Sequence, residues 1–233
     1  MASGEISPKM GLALFFSFTA ISLTNAFLTD TSIFLLLLTF ILLGIGYSTP
    51  PISFKKRPGL DIIVCGIGAG MLPFFIGVQT ASLLTLNFEL PWMIRRYQDV
   101  LFAALPIFLV QCAGQIYQVV GDYEADALAS INTFAVKYGK KAALKFATIT
   151  LLITISLPIA YELLNLSLTP FLFWYLIALV FLVPCLLYFL KRAQNASEKN
   201  FRKLREFSRR GGAVILFILI LYVLIIRLTL NGA

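Results

Sequence analysis

The chain alternates between long apolar stretches and short polar segments over its whole length. Seven apolar stretches of about 17 to 27 residues are each long enough to cross a hydrocarbon core of about 30 Å as a helix. A helix satisfies its own backbone hydrogen bonds in lipid, and no stretch shows the alternating pattern of a barrel strand. The pattern predicts one all-α domain over 1–233, a bundle of about seven transmembrane helices at 11–28, 31–48, 60–86, 100–120, 143–164, 169–190 and 213–230.

The composition also indicates a membrane protein. Of the 233 residues, 59% are hydrophobic and 13% are charged, whereas soluble domains are about 45–50% apolar and about 25% charged. A chain of this length cannot bury so much apolar surface in a water-soluble core, which excludes a soluble enzyme, a nucleic-acid-binding module and a disordered protein. The absence of histidine excludes histidine-based catalytic triads and histidine-ligated metal sites.

The net charge of +8 is divided unevenly between the two predicted sides of the membrane. All but three of the 19 Lys and Arg residues fall on the side of the N-terminus, the exceptions being Arg95, Arg96 and Arg227. Because basic loops remain in the cytoplasm, this distribution predicts a multi-pass protein of the cell membrane with a cytoplasmic N-terminus.

The fourth predicted span carries a stripe of polar residues that ends in two acids. The stripe consists of Gln111, Gln115, Gln118, Asp122 and Asp126. Spacings of three and four residues place all five on one helical face. The face is either a hydrogen-bonded seam between helices or the lining of a polar cavity with two carboxylates at its cytoplasmic mouth.

Asp122 and Asp126 lie one helical turn apart and repel each other unless a positive group lies beside them. Mg²⁺ meets this need, since it combines a few carboxylates with the phosphate oxygens of a substrate. Basic residues flank the acids on the same predicted side, at Lys55, Lys56, Arg57, Lys137, Lys140 and Lys141. The arrangement suits a diphosphate, although the same charges also fit residues that only set the topology.

A glycine-rich run within the third span, Gly66-Ile67-Gly68-Ala69-Gly70, has the spacing of a nucleotide-binding loop. It lies inside an apolar segment without a preceding strand, so it lacks the context that such a loop requires. Gly66 and Gly70 instead form a small-xxx-small face, which predicts close packing against another helix.

Three segments of the chain together resemble one known family. The segment Gly121–Asp126, with the T-x-A-V-x-x-G pattern of Thr133–Gly139, resembles the second aspartate-rich motif of the UbiA-type intramembrane prenyltransferases. The segment Tyr47–Pro51, continuing to Asp61, resembles the Y-S-x-P-P loop of that family. Ser3–Ser7 resembles the S-G-x-I-S segment that opens its third helix.

The resemblance implies Mg²⁺-dependent transfer of a prenyl group from an allylic prenyl diphosphate. The other partners would be the lipid bilayer and a lipophilic acceptor, either an aromatic compound, a quinone precursor or a lipid. Asp122 and Asp126 would be catalytic as one half of the metal site. The residues implied in diphosphate binding are Tyr47, Lys55, Arg57 and Lys137.

Members of the family have about nine membrane helices and a first motif of the N-D-x-x-D type on the second helix, whereas this chain contains no such motif. The seven predicted spans would correspond to helices three to nine. We therefore expect Met1 to be an internal methionine of a longer protein, which makes a truncated, catalytically inactive prenyltransferase the first alternative.

A second alternative is a small membrane transporter whose glutamine and aspartate stripe lines a solute path. Such a path needs polar groups as far as the opposite side of the membrane. The stripe stops near Gln111, in the middle of the span, and therefore argues against transport.

Overall fold

The computed structural model describes residues 7–84 and 97–164, and the regular structure within these two ranges is helical. The long helices are α1 (Pro8–Thr29), α2 (Thr31–Ser48), α4 (Leu72–Leu84), α5 (Tyr97–Gly121) and α8 (Lys140–Leu164). The short helices are α3 (Leu60–Cys65), α6 (Tyr123–Leu128) and α7 (Phe134–Tyr138). A 3₁₀ turn covers Phe54–Lys56, and a π-helical turn at Gly66–Met71 connects α3 to α4 without a break.

Five helical segments in the described ranges are long and apolar enough to cross a membrane. They are Pro8–Thr29, Thr31–Ser48, Leu60–Ala81, Ala103–Gly121 and Lys140–Ala160. These segments confirm the first five predicted spans and the prediction of an all-α transmembrane bundle. The predicted spans 169–190 and 213–230 lie outside the described residues.

The first two spans form a helical hairpin in which Asp30 is the single residue between α1 and α2. The Asp30 Oδ1 atom accepts backbone N–H bonds from Ser32 at 2.8 Å and Ile33 at 3.1 Å, so the carboxylate caps α2. Gln79 Nε2 donates to the same oxygen at 3.3 Å and ties the hairpin to α4. The hydrogen bond from Ile33, which favours the charged form, lowers the pKa of Asp30.

Helix α5 lies at the centre of the described bundle, in contact with α3, the π-helical turn and α8. Its Ile116 and Val120 side chains are almost completely buried, and α8 presents the buried small residues Ala143 and Ala147. Helix α1 buries only Ala26 and exposes most of its large apolar side chains. An apolar outer surface of this kind suits contact with lipid tails rather than with water.

The glycines of the π-helical turn lie against α5 at short range. A Cβ atom at Gly66 would lie 2.6 Å from Cys112 Sγ and 2.6 Å from the ring of Phe108. At Gly70 it would lie 3.2 Å from the carbonyl oxygen of Ile107. Because these distances are shorter than ordinary van der Waals contact, glycine permits the close approach, and the predicted packing face is confirmed.

Two loops meet at one end of the bundle, which we call the polar end. One loop covers residues 49–59 between α2 and α3, and the other covers 122–139 between α5 and α8 and contains α6 and α7. The Phe134 N–H of the second loop donates at 3.2 Å to Oδ2 of Asp61, which lies in α3 directly after the first loop. The loop that follows the Y-S-x-P-P segment and the segment that follows the aspartate motif therefore lie side by side, although they are far apart in the chain.

Candidate active site

The two acids of the aspartate motif lie where α5 passes into α6. Asp122 is the residue before α6 and makes no side-chain cap of that helix. The backbone ladder nevertheless continues, with Asp122 N donating to Gln118 O at 3.0 Å and Asp126 N donating to Asp122 O at 2.8 Å. The predicted spacing of one turn between the carboxylates is thus preserved. Asp126 is buried, with 5% of its surface exposed, whereas Asp122 is exposed.

The ammonium group of Lys55 lies within electrostatic range of the buried Asp126 carboxyl. Burial raises the pKa of the Asp126 carboxyl, and the nearby ammonium group of Lys55 partly offsets this effect, while the carboxylate of Asp122 adds to it. The buried Thr133 hydroxyl also lowers this pKa, although no described residue makes a hydrogen bond of ordinary geometry to its oxygen. Both acids and Lys55 consequently form one electrostatic unit at the polar end.

Tyr47, at the end of α2, is oriented by a residue of the polar stripe. Gln115 Nε2 donates to the Tyr47 hydroxyl oxygen at 2.9 Å, which joins α2 to α5. Because an amide nitrogen only donates, the Tyr47 hydroxyl can still donate its own hydrogen, and the Cys65 sulfur lies within its reach. The hydroxyl is also within electrostatic range of Asp61 and Asp126. Tyr47 therefore belongs to the same group of side chains as the acid pair and Lys55.

The other two glutamines of the stripe have different surroundings. The side chain of Gln111 packs against Gly70, with its Cγ 3.1 Å from where a Cβ of that glycine would stand. Gln118 is exposed. Of the two interpretations of the stripe, a seam between helices describes Gln111 and Gln115 directly, and the lining of a cavity by all three glutamines stays a prediction.

Arg57 and Lys137 are both exposed at the polar end. Lys137 Nζ lies 5.3 Å from the centre of the Tyr138 ring, a cation–π distance. Within residues 7–84 and 97–164, no ion pair joins either residue to Asp122 or Asp126. Lys55 makes no ion pair with the acids in these ranges either, but it lies within electrostatic range of Asp126. The role of all three basic residues in diphosphate binding stays a prediction.

A neighbouring acid, Glu124, has its own partner away from the pair. Its Oε1 atom lies 2.9 Å from Lys140 Nζ, and the same ammonium group lies 4.8 Å from the centre of the Tyr123 ring. With 81% of the Glu124 side chain exposed, this ion pair contributes little to stability, about 0–1 kcal/mol. Lys140 is thus engaged on the far side of α6 from Asp126.

Asp61 is a component of the polar end to which the sequence analysis assigned no role. Its side chain is completely buried, and it accepts backbone hydrogen bonds from Gly59 at 2.7 Å and Phe134 at 3.2 Å. The sequence indicates such a role by placing an acid at the very start of an apolar span, because a charge there is costly unless hydrogen bonds or an opposite charge compensate it. In sequence the same residue also reads as an ordinary acid in the first turn of a helix.

The two carboxylates of Asp122 and Asp126 fit a Mg²⁺ site in which a bound ligand supplies part of the coordination. Within the described ranges, no group of three or more His, Cys, Asp and Glu side chains is placed to hold a metal ion. Mg²⁺ is commonly held by one or two carboxylates, with waters and substrate phosphates at its other positions. Asp122 and Asp126 match that pattern, and the exposure of Asp122 leaves the pair accessible to a phosphate group.

Comparison with solved structures finds chains with the same fold. A UbiA homolog from Archaeoglobus fulgidus bound to GPP and Mg²⁺ is 25% identical with a TM-score of 0.64, over 92% of this chain and 73% of that one. The same homolog bound to Cd²⁺ is 26% identical with a TM-score of 0.62, over 91% and 75%. A structure of digeranylgeranylglyceryl phosphate synthase is 19% identical with a TM-score of 0.63, over 93% and 70%, and shows the fold alone.

Comparison of sequences agrees with the comparison of structures. A search of curated protein sequences finds no significant match. The model of the UbiA prenyltransferase family matches residues 1–209, which include the Y-S-x-P-P loop, the aspartate motif and all the described helices. With so much of its length matched, the chain belongs to the UbiA prenyltransferase family.

Proposed function

We propose that this chain transfers a prenyl group from an allylic prenyl diphosphate to a lipophilic acceptor within the membrane, in a Mg²⁺-dependent reaction. The observation that carries the proposal is the one-turn spacing of Asp122 and Asp126 at the polar end, with Lys55 of the neighbouring loop within electrostatic range of the buried acid. Two carboxylates for a cation and an ammonium group for a phosphate are the components that binding of a diphosphate requires. The homolog bound to GPP and Mg²⁺ supports the same ligand pair.

The acids would hold Mg²⁺ between the protein and the diphosphate. Buried Asp126 is fixed in place by α6, and exposed Asp122 lies at the edge where a ligand would enter. When bound, the cation supplies positive charge that stabilises the diphosphate as a leaving group. Lys55 adds a further positive charge on the Asp126 side, and the Tyr47 hydroxyl could donate its hydrogen to a phosphate oxygen in place of the Cys65 sulfur.

The chemistry needs no protein nucleophile. The bond between the allylic carbon and the diphosphate oxygen breaks, and its electron pair leaves with the diphosphate. The acceptor then forms a bond to the allylic cation and loses a proton. The apolar bundle excludes water, which would otherwise capture the cation as an alcohol. Aromatic residues make up 14% of the sequence, and ring faces stabilise cations of this kind.

Orientation in the membrane is part of the proposal. The polar end carries Lys55–Arg57, Lys137, Lys140 and Lys141, and the positive-inside rule places such loops in the cytoplasm. A water-soluble diphosphate group would then bind from the cytoplasm while its prenyl chain extends into the bundle. Arg57 and Lys137, both exposed at this end, would close onto the diphosphate after it binds.

The purified chain in lipid nanodiscs provides the first test. We expect it to release diphosphate from an allylic prenyl diphosphate and prenylate a lipophilic acceptor in the presence of Mg²⁺, and to stop when EDTA removes the metal. A panel of prenyl chain lengths and of quinone-precursor, aromatic and lipid acceptors identifies the substrates. Mg²⁺-dependent binding of the diphosphate without turnover on any acceptor would favour the alternative of an inactive chain. Absence of binding would contradict the proposal.

The hydrogen bond between Gln115 and Tyr47 makes a separate prediction. Tyr47→Phe removes the hydroxyl, and we expect kcat/KM to fall about 10- to 100-fold, the range for a hydrogen bond to a charged group. Gln115→Leu should have a smaller effect, because it only releases the hydroxyl from its position. The double variant should be no slower than Tyr47→Phe, since both changes act through one oxygen. Additive losses in this double-mutant cycle would show that Gln115 acts independently of Tyr47.

A further inference from the structure

Asp61 connects the two loops of the polar end through its separate carboxylate oxygens. Oδ1 accepts from the Gly59 N–H at 2.7 Å, within the loop that follows α2. Oδ2 accepts from the Phe134 N–H at 3.2 Å, in the loop that follows α5. The two bonded residues belong to the two segments that carry Lys55 and the acid pair. One side chain thus determines how these segments sit relative to each other.

The hydrogen bond from Phe134 to Asp61 caps the start of α7, which no neighbouring side chain caps. Phe134 is the first residue of α7, so its N–H has no partner within that helix. Thr133, the residue at the N-cap position, makes no side-chain hydrogen bond to α7. Asp61, 73 residues earlier in the chain, caps α7 in its place. The start of α7 therefore depends on α3 for its position.

The burial of Asp61 argues against a direct role in ligand binding. No part of Asp61 is exposed, so it does not present an oxygen to a metal ion or a diphosphate at the surface. Within the described residues, no ion pair satisfies its carboxylate, and the hydrogen bonds it accepts come from the backbone N–H groups of Gly59 and Phe134. A buried carboxylate that is satisfied by two backbone donors is costly to replace and well suited to fix backbone geometry.

We propose that Asp61 is a positioning residue of the prenyltransferase site: it holds the Lys55 loop against the segment that follows the acid pair and so sets the separation of the ammonium group from Asp126. This inference rests on the proposed function, because the geometry it maintains is that of diphosphate binding. A residue outside the metal ligands that orients them commonly changes ligand affinity or activity about 10- to 100-fold when replaced.

Asp61→Asn tests the inference with little change of volume. An asparagine side chain offers one oxygen and an NH₂ group, so it can accept from Gly59 or Phe134 but not from both. The matched control is Asp30→Asn, because Asp30 likewise accepts backbone N–H bonds at a helix start but lies at the opposite end of the bundle. Thermal unfolding of both variants in the same detergent measures the loss of stability that is common to them.

Two measurements on the full chain in nanodiscs then distinguish a loss of loop positioning from a general loss of stability. In Asp61→Asn we expect amide hydrogen exchange of residues 131–139 to quicken and the affinity for an allylic diphosphate with Mg²⁺ to fall about 10-fold or more. Asp30→Asn should change neither. Unchanged affinity in Asp61→Asn, or an equal loss in Asp30→Asn, would overturn the positioning role. Failure of the wild-type chain to bind the diphosphate would instead overturn the proposed function and, with it, the inference that depends on it.

Discussion

Replacing either acid of the aspartate motif should almost abolish prenyl transfer. For Asp122→Asn and Asp126→Asn we expect kcat/KM to fall about 100- to 1,000-fold, because each change removes charge that binds Mg²⁺ and stabilises the leaving diphosphate. Asparagine has nearly the same volume as aspartate, so the junction of α5 and α6 should keep its backbone ladder. The Mg²⁺ concentration that gives half-maximal activity should rise, and kcat should fall.

Glu124→Gln is the matched control for this experiment. It removes one negative charge from α6, the six-residue helix that also carries Asp126, but from an exposed side chain whose partner is Lys140. We expect activity and Mg²⁺ dependence close to those of the wild-type chain. Full activity in both aspartate variants would disprove the metal assignment. An equal loss in Glu124→Gln would indicate that the overall negative charge of α6 matters, rather than the two carboxylates themselves.

The second large effect concerns the packing of the π-helical turn against α5. Gly66→Ala places a Cβ atom 2.6 Å from both Cys112 Sγ and the Phe108 ring, so α5 or the turn must shift. Overpacking of this kind costs about 1–3 kcal/mol. At roughly 2–4 °C for each kcal/mol, the midpoint of thermal unfolding in detergent should fall by several degrees. Gly66→Leu should be more severe and leave little folded protein.

Gly68→Ala is the control for Gly66→Ala because it lies in the same turn. A Cβ at Gly68 would meet no atom of the described residues within 4 Å. We expect its unfolding midpoint to equal or exceed that of the wild-type chain, since alanine restricts the unfolded backbone more than glycine does. A similar loss in both variants would mean that the turn requires glycine for its backbone conformation and not for the approach of α5.

Much of the fold was predictable because lipid leaves the backbone few choices. Without water to satisfy its N–H and C=O groups, an apolar segment of sufficient length forms a helix, and the helix bounds follow from where polarity begins. Asp30 illustrates this, since one capping acid between two apolar stretches marks both the end of α1 and the start of α2. The close packing of Gly66 and Gly70 was also evident from their spacing, although the partner helix was not.

The candidate site was predictable only where it is local. Asp122 and Asp126 share a helix face because they are four residues apart, and the structure keeps that relation even though α5 ends between Gln118 and Asp126. Nothing in the sequence separated Lys55 from Arg57, yet Lys55 is half-buried and within electrostatic range of Asp126, whereas Arg57 is exposed and does not affect that carboxyl. The fold of the loop after α2 decides which basic residue lies near the acids.

The sequence by itself determined the apolar, membrane-length spans and the one-turn spacing of the acid pair, because these follow from composition, periodicity and spacing over a few residues. Its motifs carried the resemblance to the UbiA family, whose model matches residues 1–209. The tertiary structure alone decided the pairing of Gln115 with Tyr47 and the bridging role of Asp61. Those contacts join residues 68 and 73 positions apart. Their geometry depends on the close approach of α5 to the glycine turn and on the meeting of two loops, which no local pattern specifies.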